Sequence, residues 1–216
     1  MTYLDSYCER AGQAHIWAEP INAISNIAFL IAAAIAIKMI KRYSVQARDI
    51  KMLPVILVLI GLGSFAWHVM ADEFTLMLDV IPITIFINLY IIIFLTRCMQ
   101  WRWWGVVAAF VMLQLMNAAV SYWLDADTLY GTIMYLPTYI MLLGFSILAF
   151  IQKKTFALHL CLITCIWTCS LIFRTIDLPI CYATHVGTHF LWHIANAVTL
   201  YELIKLTVYH HSRRLL

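Results

Sequence analysis

Charged side chains are scarce in this sequence. Only 12% of its 216 residues are Asp, Glu, Lys or Arg, whereas 64% are hydrophobic. A soluble domain of this length has too little interior to bury so many apolar side chains. The composition therefore excludes a soluble protein and predicts a polytopic membrane protein. The net charge of +3 gives no reason to expect a nucleic-acid partner.

The sequence also lacks internal repeats, low-complexity linkers and a recognisable cleavable signal. Its first 20 residues are polar and do not contain the basic and apolar regions that a secretory signal needs. We therefore expect residues 1–20 to stay on the protein as a polar N-terminal segment on the outer side of the membrane. No obligate protein partner is expected from the sequence.

Long apolar runs are what the sequence does contain. Seven of them can be marked, at about residues 21–40, 52–71, 75–96, 103–122, 132–151, 156–174 and 187–207. Each has the length of about 20 residues that a membrane-spanning helix needs, and none alternates as a barrel strand does. The prediction is an all-α fold in which residues 1–216 form a single domain of seven transmembrane helices.

The basic residues predict the orientation of this bundle. Of the 14 Lys and Arg residues, 12 lie in or beside the first, third and fifth loops or near the C-terminus. The exceptions are Arg10 and Arg174. Because Lys and Arg are enriched in cytoplasmic loops, the N-terminus is predicted to lie outside and the C-terminus in the cytoplasm.

Five polar side chains interrupt the apolar runs close to the predicted outer surface: Ser64, His68, Asp79, His189 and His193. At about 1.5 Å of rise per residue they fall within one slab roughly 10 Å thick, on three different helices. Ser64 and His68 are four residues apart, as are the other two histidines, so each pair lies on one helix face.

Three imidazoles at one depth predict a metal site. Catalytic zinc is typically held by three protein ligands with a fourth position open, although imidazole also binds iron, copper and nickel. Asp79 lies inside a span, where a carboxylate is costly, and this favours a functional role. Each residue alone has an ordinary structural explanation, but their coincidence favours the metal site. His185 lies one turn before His189 and is not included among the ligands.

The N-terminal segment carries further candidate residues. Cys8 and Cys181 are both predicted outside, where a disulfide is permitted, and pairing them would tie this segment to the sixth loop. The acidic residues Asp5, Glu9 and Glu19 are clustered, and clustered carboxylates favour a hard cation such as calcium. From the residues alone, a solvated acidic tail is slightly the better interpretation of this cluster.

Several stretches together resemble a known family. They are DSYCER and WAEPINAISNIAF within residues 5–29, GLGSFAWH at 61–68, LMLDVIP at 76–82 and HFLWH at 189–193. In this combination and order the chain resembles the alkaline ceramidases and their bacterial relatives. These belong to a wider group of seven-helix membrane hydrolases that includes the progestin and adipoQ receptors. The receptor branch generally has the opposite orientation, so the predicted topology favours the ceramidase branch.

The resemblance implies roles for the intramembrane residues. His68, His189 and His193 would hold a zinc ion, and Ser64 and Asp79 would be the catalytic companions. The implied function is that of a zinc-dependent intramembrane lipid amide hydrolase, which cleaves ceramide to a sphingoid base and a fatty acid by metal-activated water. The lipid substrate would enter from the bilayer.

The resemblance also bears on the N-terminal segment. It supports the disulfide and implies a calcium site onto which Glu9 and Glu19 map. The eukaryotic enzymes have Asp-Trp-Cys-Glu, whereas here Tyr7 replaces the tryptophan and Asp5 lies one position further from Glu9. This departure puts the role of Asp5 in doubt. The short tails resemble those of bacterial members, which would place the chain in a bacterial inner membrane.

Other functions remain compatible with the sequence. A lipid esterase or acyl remodeller could use the same fold. A non-catalytic metal-binding membrane receptor would bind zinc without turnover, and a haem- or metal-handling protein would show a visible absorption band or move metal across the bilayer.

Overall fold

The structure, a computed structural model, describes residues 7–13 and 15–213. These residues form helices joined by short turns, and they contain no strand. The predicted all-α fold is therefore confirmed for this part of the chain.

The helices follow the predicted apolar runs to within four residues, except that the last helix ends six residues beyond the seventh run. Their bounds are α1 Pro20–Ser25, α2 Ile27–Arg42, α3 Arg48–Met70, α4 Glu73–Ile93 with a π-helical turn at Phe94–Cys98, α5 Trp103–Trp123, a 3₁₀ turn at Thr132–Tyr135 leading into α6 Leu136–Ile151, α7 Ala157–Ile176, α8 Cys181–Thr184 and α9 His189–Arg213.

Six of these segments are long and apolar enough to cross a membrane, among the residues that the structure describes. The seventh predicted run is α9, a helix of 25 residues that is not among the six. Helix α9 packs against α2, α3 and α7, and several of its polar side chains are buried there: His189, His193, Asn196, Thr199 and Thr207. Its low apolarity follows from this interior position, because its polar side chains face protein.

The surface of α5 shows how the bundle presents apolar residues outward. Trp103 and Trp104 are exposed at one end of this helix, and Tyr122 and Trp123 are exposed at the other. Its 21 residues span about 31 Å at about 1.5 Å each, close to the roughly 30 Å of a hydrocarbon core. Aromatic residues at both ends of such a helix are typical of the two membrane interfaces.

Helices α3 and α4 approach each other closely at Gly63. A Cβ atom on this residue would lie 2.0 Å from the carbonyl oxygen of Leu78 in α4. Only glycine therefore permits the observed separation of the two backbones, as at other close helix contacts in membranes. Because Ser64 and Asp79 are the next residues along each helix, this contact sets the distance between the two predicted catalytic groups.

A tight turn joins these two helices. Helix α3 ends at Ala71 in a left-handed conformation, and α4 begins with a capping box in which Asp72 accepts from the backbone of Thr75. The cap satisfies backbone N–H groups that have no partner within the helix. The turn holds the last turn of α3, which carries His68, beside the first turns of α4.

Candidate metal site and adjoining cavities

Three histidines meet near one end of the bundle. His68 is in the last turn of α3, and His189 and His193 are in the first two turns of α9. The Nε2 atoms of His68 and His193 are 3.1 Å apart, and one nitrogen of each of the three residues lies within 4.8 Å of the others. Two nitrogens on one tetrahedral zinc at about 2.0–2.1 Å would be roughly 3.3 Å apart. The predicted convergence of three imidazoles is confirmed.

Two of the imidazoles are oriented by hydrogen bonds. Nδ1 of His68 is 2.6 Å from Oε2 of Glu19, and Nδ1 of His193 is 2.7 Å from Oγ of Ser25. Metal-binding histidines commonly make such a bond through the nitrogen that does not bind the metal. These bonds leave Nε2 of both rings for an ion.

The donor set fits a divalent metal ion. All three histidines are buried, and Nδ1 of His189 has no hydrogen-bond partner among the described residues. A buried polar atom without a partner is unfavourable unless something else satisfies it. Together the imidazoles could hold one metal ion, and their chemistry suits zinc as well as other transition metals.

Asp177 anchors the start of α9. Its Oδ1 accepts from the backbone N–H groups of Thr188 and His189 at 2.7 and 2.8 Å, and its Oδ2 accepts from that of Cys8 at 2.9 Å. Gly187 has φ +72°, and a Cβ atom there would lie 2.0 Å from Oδ1 of Asp177. This carboxylate therefore fixes both the first ligand of α9 and the N-terminal segment. Asp177 was not predicted as a site residue. The sequence feature that could have indicated it is that Asp177 is the only acidic residue between the sixth and seventh apolar runs.

The N-terminal segment covers the histidines. Cys8 and Cys181 form the predicted disulfide, with their Cα atoms 5.3 Å apart. The ring of Tyr7 stacks on that of His189, with centroids 3.8 Å apart. Tyr7 thus contacts a predicted metal ligand. His185 is exposed at the end of α8.

A polar cavity adjoins the histidines. Ser64, Asp79, His189 and His193 all contribute to its wall. Oδ1 of Asp79 is buried and has no hydrogen-bond partner within the described part of the chain. The structure thus places both predicted catalytic side chains beside the candidate metal ligands, on the three helices that the sequence indicated.

An apolar cavity shares part of its wall with the polar one. It has Ile60, Ile83 and Trp192 in common with the lining of the polar cavity. On the α4 side it extends from Ile83 to Phe94, which is about 16 Å along a helix. The site therefore combines a polar cavity with an adjoining apolar cavity.

Arg10 and Arg174, the two exceptions to the charge asymmetry, both lie near this site. Arg10 is fully buried and donates to Oε1 of Glu19 at 2.6 Å. Arg174 lines the polar cavity, and its guanidinium lies 5.6 Å from the centroid of the Tyr135 ring. Neither arginine was predicted as a site residue, although both stand out in the sequence as the exceptions to the charge asymmetry.

The predicted calcium ligands have other partners in the structure. Glu9 accepts from the backbone N–H groups of Ile21 and Asn22 at 2.7 and 2.8 Å, at the start of α1. Glu19 binds Arg10 and His68. Asp5 lies outside the described residues. The oxygen atoms of Glu9 and Glu19 are thus already bonded to protein donors.

The two carboxyl groups differ in their electrostatics. Partial burial raises the pKa of Glu9, although the backbone N–H groups of Asn22 and Ile21 oppose the rise. Burial also acts to raise the pKa of Glu19, but hydrogen bonds and charge from His68 and Arg10 outweigh it and lower that pKa. Glu19 is therefore a carboxylate held in its ionised form by neighbouring donors.

The chain matches no model of a known protein family and no curated protein sequence.

Proposed function

We propose that this chain is a zinc-dependent intramembrane lipid amide hydrolase of the ceramidase type. Its substrate would be ceramide, and its products a sphingoid base and a fatty acid. The observation that carries the proposal is a buried cluster of three histidines that shares a polar cavity with Ser64 and Asp79. An acid, a hydroxyl donor and a metal site close together are groups with which a protein can hydrolyse an amide.

The histidines His68, His189 and His193 would hold the ion. A zinc ion in such a site supplies Lewis acidity, which lowers the pKa of bound water towards about 7. Asp79 accepts a proton from the attacking water as the water oxygen bonds to the amide carbon. The carbon–nitrogen bond then breaks, and Asp79 passes the proton to the leaving nitrogen, so that a fatty acid and an amine are released.

Ser64 stabilises the carbonyl oxygen as negative charge develops on it. Its hydroxyl lines the polar cavity with Asp79, and the close contact of α3 and α4 holds the two side chains near each other. A donor of this kind typically contributes about 2.7–4 kcal/mol to the transition state. Ser64 therefore acts on the substrate, whereas His68, one turn later on the same face, acts on the metal.

The apolar cavity supports a substrate with a long alkyl chain. It meets the polar cavity at Ile60, Ile83 and Trp192, so a substrate can place its amide beside Asp79 and its acyl chain among apolar side chains. We propose that the lipid enters sideways from the bilayer, since its tails never need to leave an apolar environment.

The proposal includes a placement in the membrane. Helix α9 would be a seventh span, because its buried polar face lies inside the bundle and six other segments are apolar enough to cross. The excess of Lys and Arg on one side supports an outer N-terminus and a cytoplasmic C-terminus. A bacterial inner membrane is the proposed location.

The test is hydrolysis of defined lipids by the purified protein, with fatty acid and amine products measured by mass spectrometry. We expect wild-type protein to contain zinc and to release both products. His193→Ala should lose zinc and turnover, and Asp79→Asn should keep zinc but lose at least about 100-fold in rate, since it removes a general base. Chelation of the metal should abolish turnover, and added zinc should restore it.

His159→Ala is the matched control. This histidine lies in the first turn of α7 and binds Glu202 at 2.7 Å, away from the three-histidine cluster, so its removal should leave zinc content unchanged. Full activity in both site variants would contradict the proposal. Cleavage of ester lipids alone would replace the amide substrate with an ester, and bound zinc without any hydrolysis would favour a receptor.

A further inference from the structure

The guanidinium of Arg10 lies among oxygen atoms. Nε donates to Oε1 of Glu19 at 2.6 Å, Nη1 donates to the carbonyl oxygens of Gln13 and His15 at 3.2 and 3.4 Å, and Nη2 donates to that of His68 at 3.4 Å. The side chain is 1% exposed. One carboxylate and three backbone carbonyls thus surround a single buried cation.

These acceptors are the kind that calcium prefers. Calcium in proteins is bound by carboxylate and backbone carbonyl oxygens, and the family resemblance implies a calcium ion held by Glu9 and Glu19. Here the guanidinium already binds Glu19, and both oxygens of Glu9 accept backbone N–H groups. The described residues of this segment therefore do not fit a calcium ion.

We propose that Arg10 takes the structural place of a calcium ion in this protein. Its fixed positive charge draws the segment before α1 onto the end of α3. The carbonyl of His68 belongs to the last turn of α3 and has no partner within the helix, so a cation there also meets the negative end of the helix dipole.

Arg10 is also a positioning residue for the metal site. Glu19 uses one oxygen for Arg10 and the other for Nδ1 of His68, at 2.6 Å in each case. Arg10 thus fixes the carboxylate that orients a metal ligand. This part of the inference rests on the proposed metal-dependent function, whereas the replacement of calcium does not.

The test compares thermal unfolding of the purified full chain at one constant zinc concentration, in calcium-free buffer, in calcium and in magnesium, followed by tryptophan fluorescence. Wild-type Tm should be equal in all three solutions, and equilibrium dialysis with radioactive calcium should detect no bound ion. Arg10→Ala should lower Tm in calcium-free buffer by roughly 5–20 °C, because Oε1 of the buried Glu19 carboxylate loses its charged partner. Calcium should recover part of that loss and magnesium less, since magnesium gives up its water reluctantly.

Two further variants make the result specific. Arg97→Ala removes another arginine in an ion pair, the bidentate contact with Asp49 at 2.7 and 2.8 Å, and its Tm should not respond to calcium. Arg10→Lys keeps the charge, so it should unfold between wild type and Arg10→Ala and should likewise be insensitive to calcium.

Calcium bound by the wild type, or a wild-type Tm raised by calcium, would overturn the inference even if Arg10→Ala does not fold. An Arg10→Ala protein as stable as wild type would also overturn it. Neither readout uses lipid hydrolysis, so these outcomes are distinct from failure of the proposed function. Zinc content of Arg10→Ala, measured beside that of Arg97→Ala, tests the positioning of His68, and we expect a loss only in the former.

Discussion

Substitution of Gly63 by alanine should separate the proposed catalytic groups, Ser64 and Asp79, without removing any of the three clustered histidines. The added Cβ would lie 2.0 Å from the carbonyl oxygen of Leu78 and 2.6 Å from its carbonyl carbon. Both are backbone atoms of α4 and cannot rotate away. Real Cβ contacts essentially never fall below 3.0 Å, so α4 must move by about 1 Å relative to α3.

That displacement has two calculable consequences. Overpacking of this kind typically costs about 1–3 kcal/mol, which for a chain of this size corresponds to roughly 2–12 °C in Tm. Asp79 follows Leu78 and would move with it, away from Ser64. A misplacement of about 1 Å can cost roughly 100-fold in rate. The three histidines lie on α3 and α9, so zinc content should stay close to that of wild type.

The assay is therefore threefold: Tm by tryptophan fluorescence, zinc per chain by elemental mass spectrometry, and release of fatty acid from ceramide. Gly144→Ala is the matched control. A Cβ atom on Gly144 in α6 would meet nothing within 4 Å, and the substitution should be neutral or stabilise by up to about 1 kcal/mol. If Gly63→Ala has the same Tm as wild type, the packing argument is refuted. If the variant loses zinc in parallel with activity, its loss of activity does not come from the separation of Ser64 and Asp79.

Two further variants test the surroundings of the histidines. Glu19→Gln should raise the zinc dissociation constant by about 10–100-fold, because it removes the negative charge that orients His68. The control is Glu9→Gln, which should change this constant little because the partners of Glu9 are backbone N–H groups. Equal zinc affinities in the two variants would contradict the role of Glu19. Cys8→Ser removes the disulfide and should lower the free energy of unfolding by about 2–5 kcal/mol. The exposed free cysteine Cys165 supplies the control Cys165→Ser, and a similar Tm for both variants would show that the bridge is not stabilising.

Local sequence determined the positions of the helices because each apolar run is long and continuous. Two irregularities within these runs were not predicted. The first run is divided at Asn26 between α1 and α2, and α4 ends in a π-helical turn. Hydrophobicity shows only that a segment prefers lipid or protein interior, so it carries no information about such changes in backbone geometry.

The convergence of the histidines was also predictable, because depth in a membrane can be counted from the helix ends. Ser64 and Asp79 line one cavity with His189 and His193, and His68 lies within 4.8 Å of these two histidines, as this counting indicated. Depth does not determine which other side chains contact them. Ser25 and Tyr7 contact the histidines from the N-terminal part of the chain, and nothing in their local sequence predicts these contacts.

The sequence by itself determined that the chain is all-helical, how many long helices it has and which three histidines cluster. The reason is that the length of an apolar run and the spacing of residues within it are properties of a single segment. Only the tertiary structure decided how the acidic N-terminal segment is used. It brings Glu19 to His68 and inserts Arg10 among the oxygens where a calcium ion was expected. The physical reason is that a buried carboxylate takes its role from whichever donors the fold brings within hydrogen-bonding distance, and those donors come from distant parts of the chain.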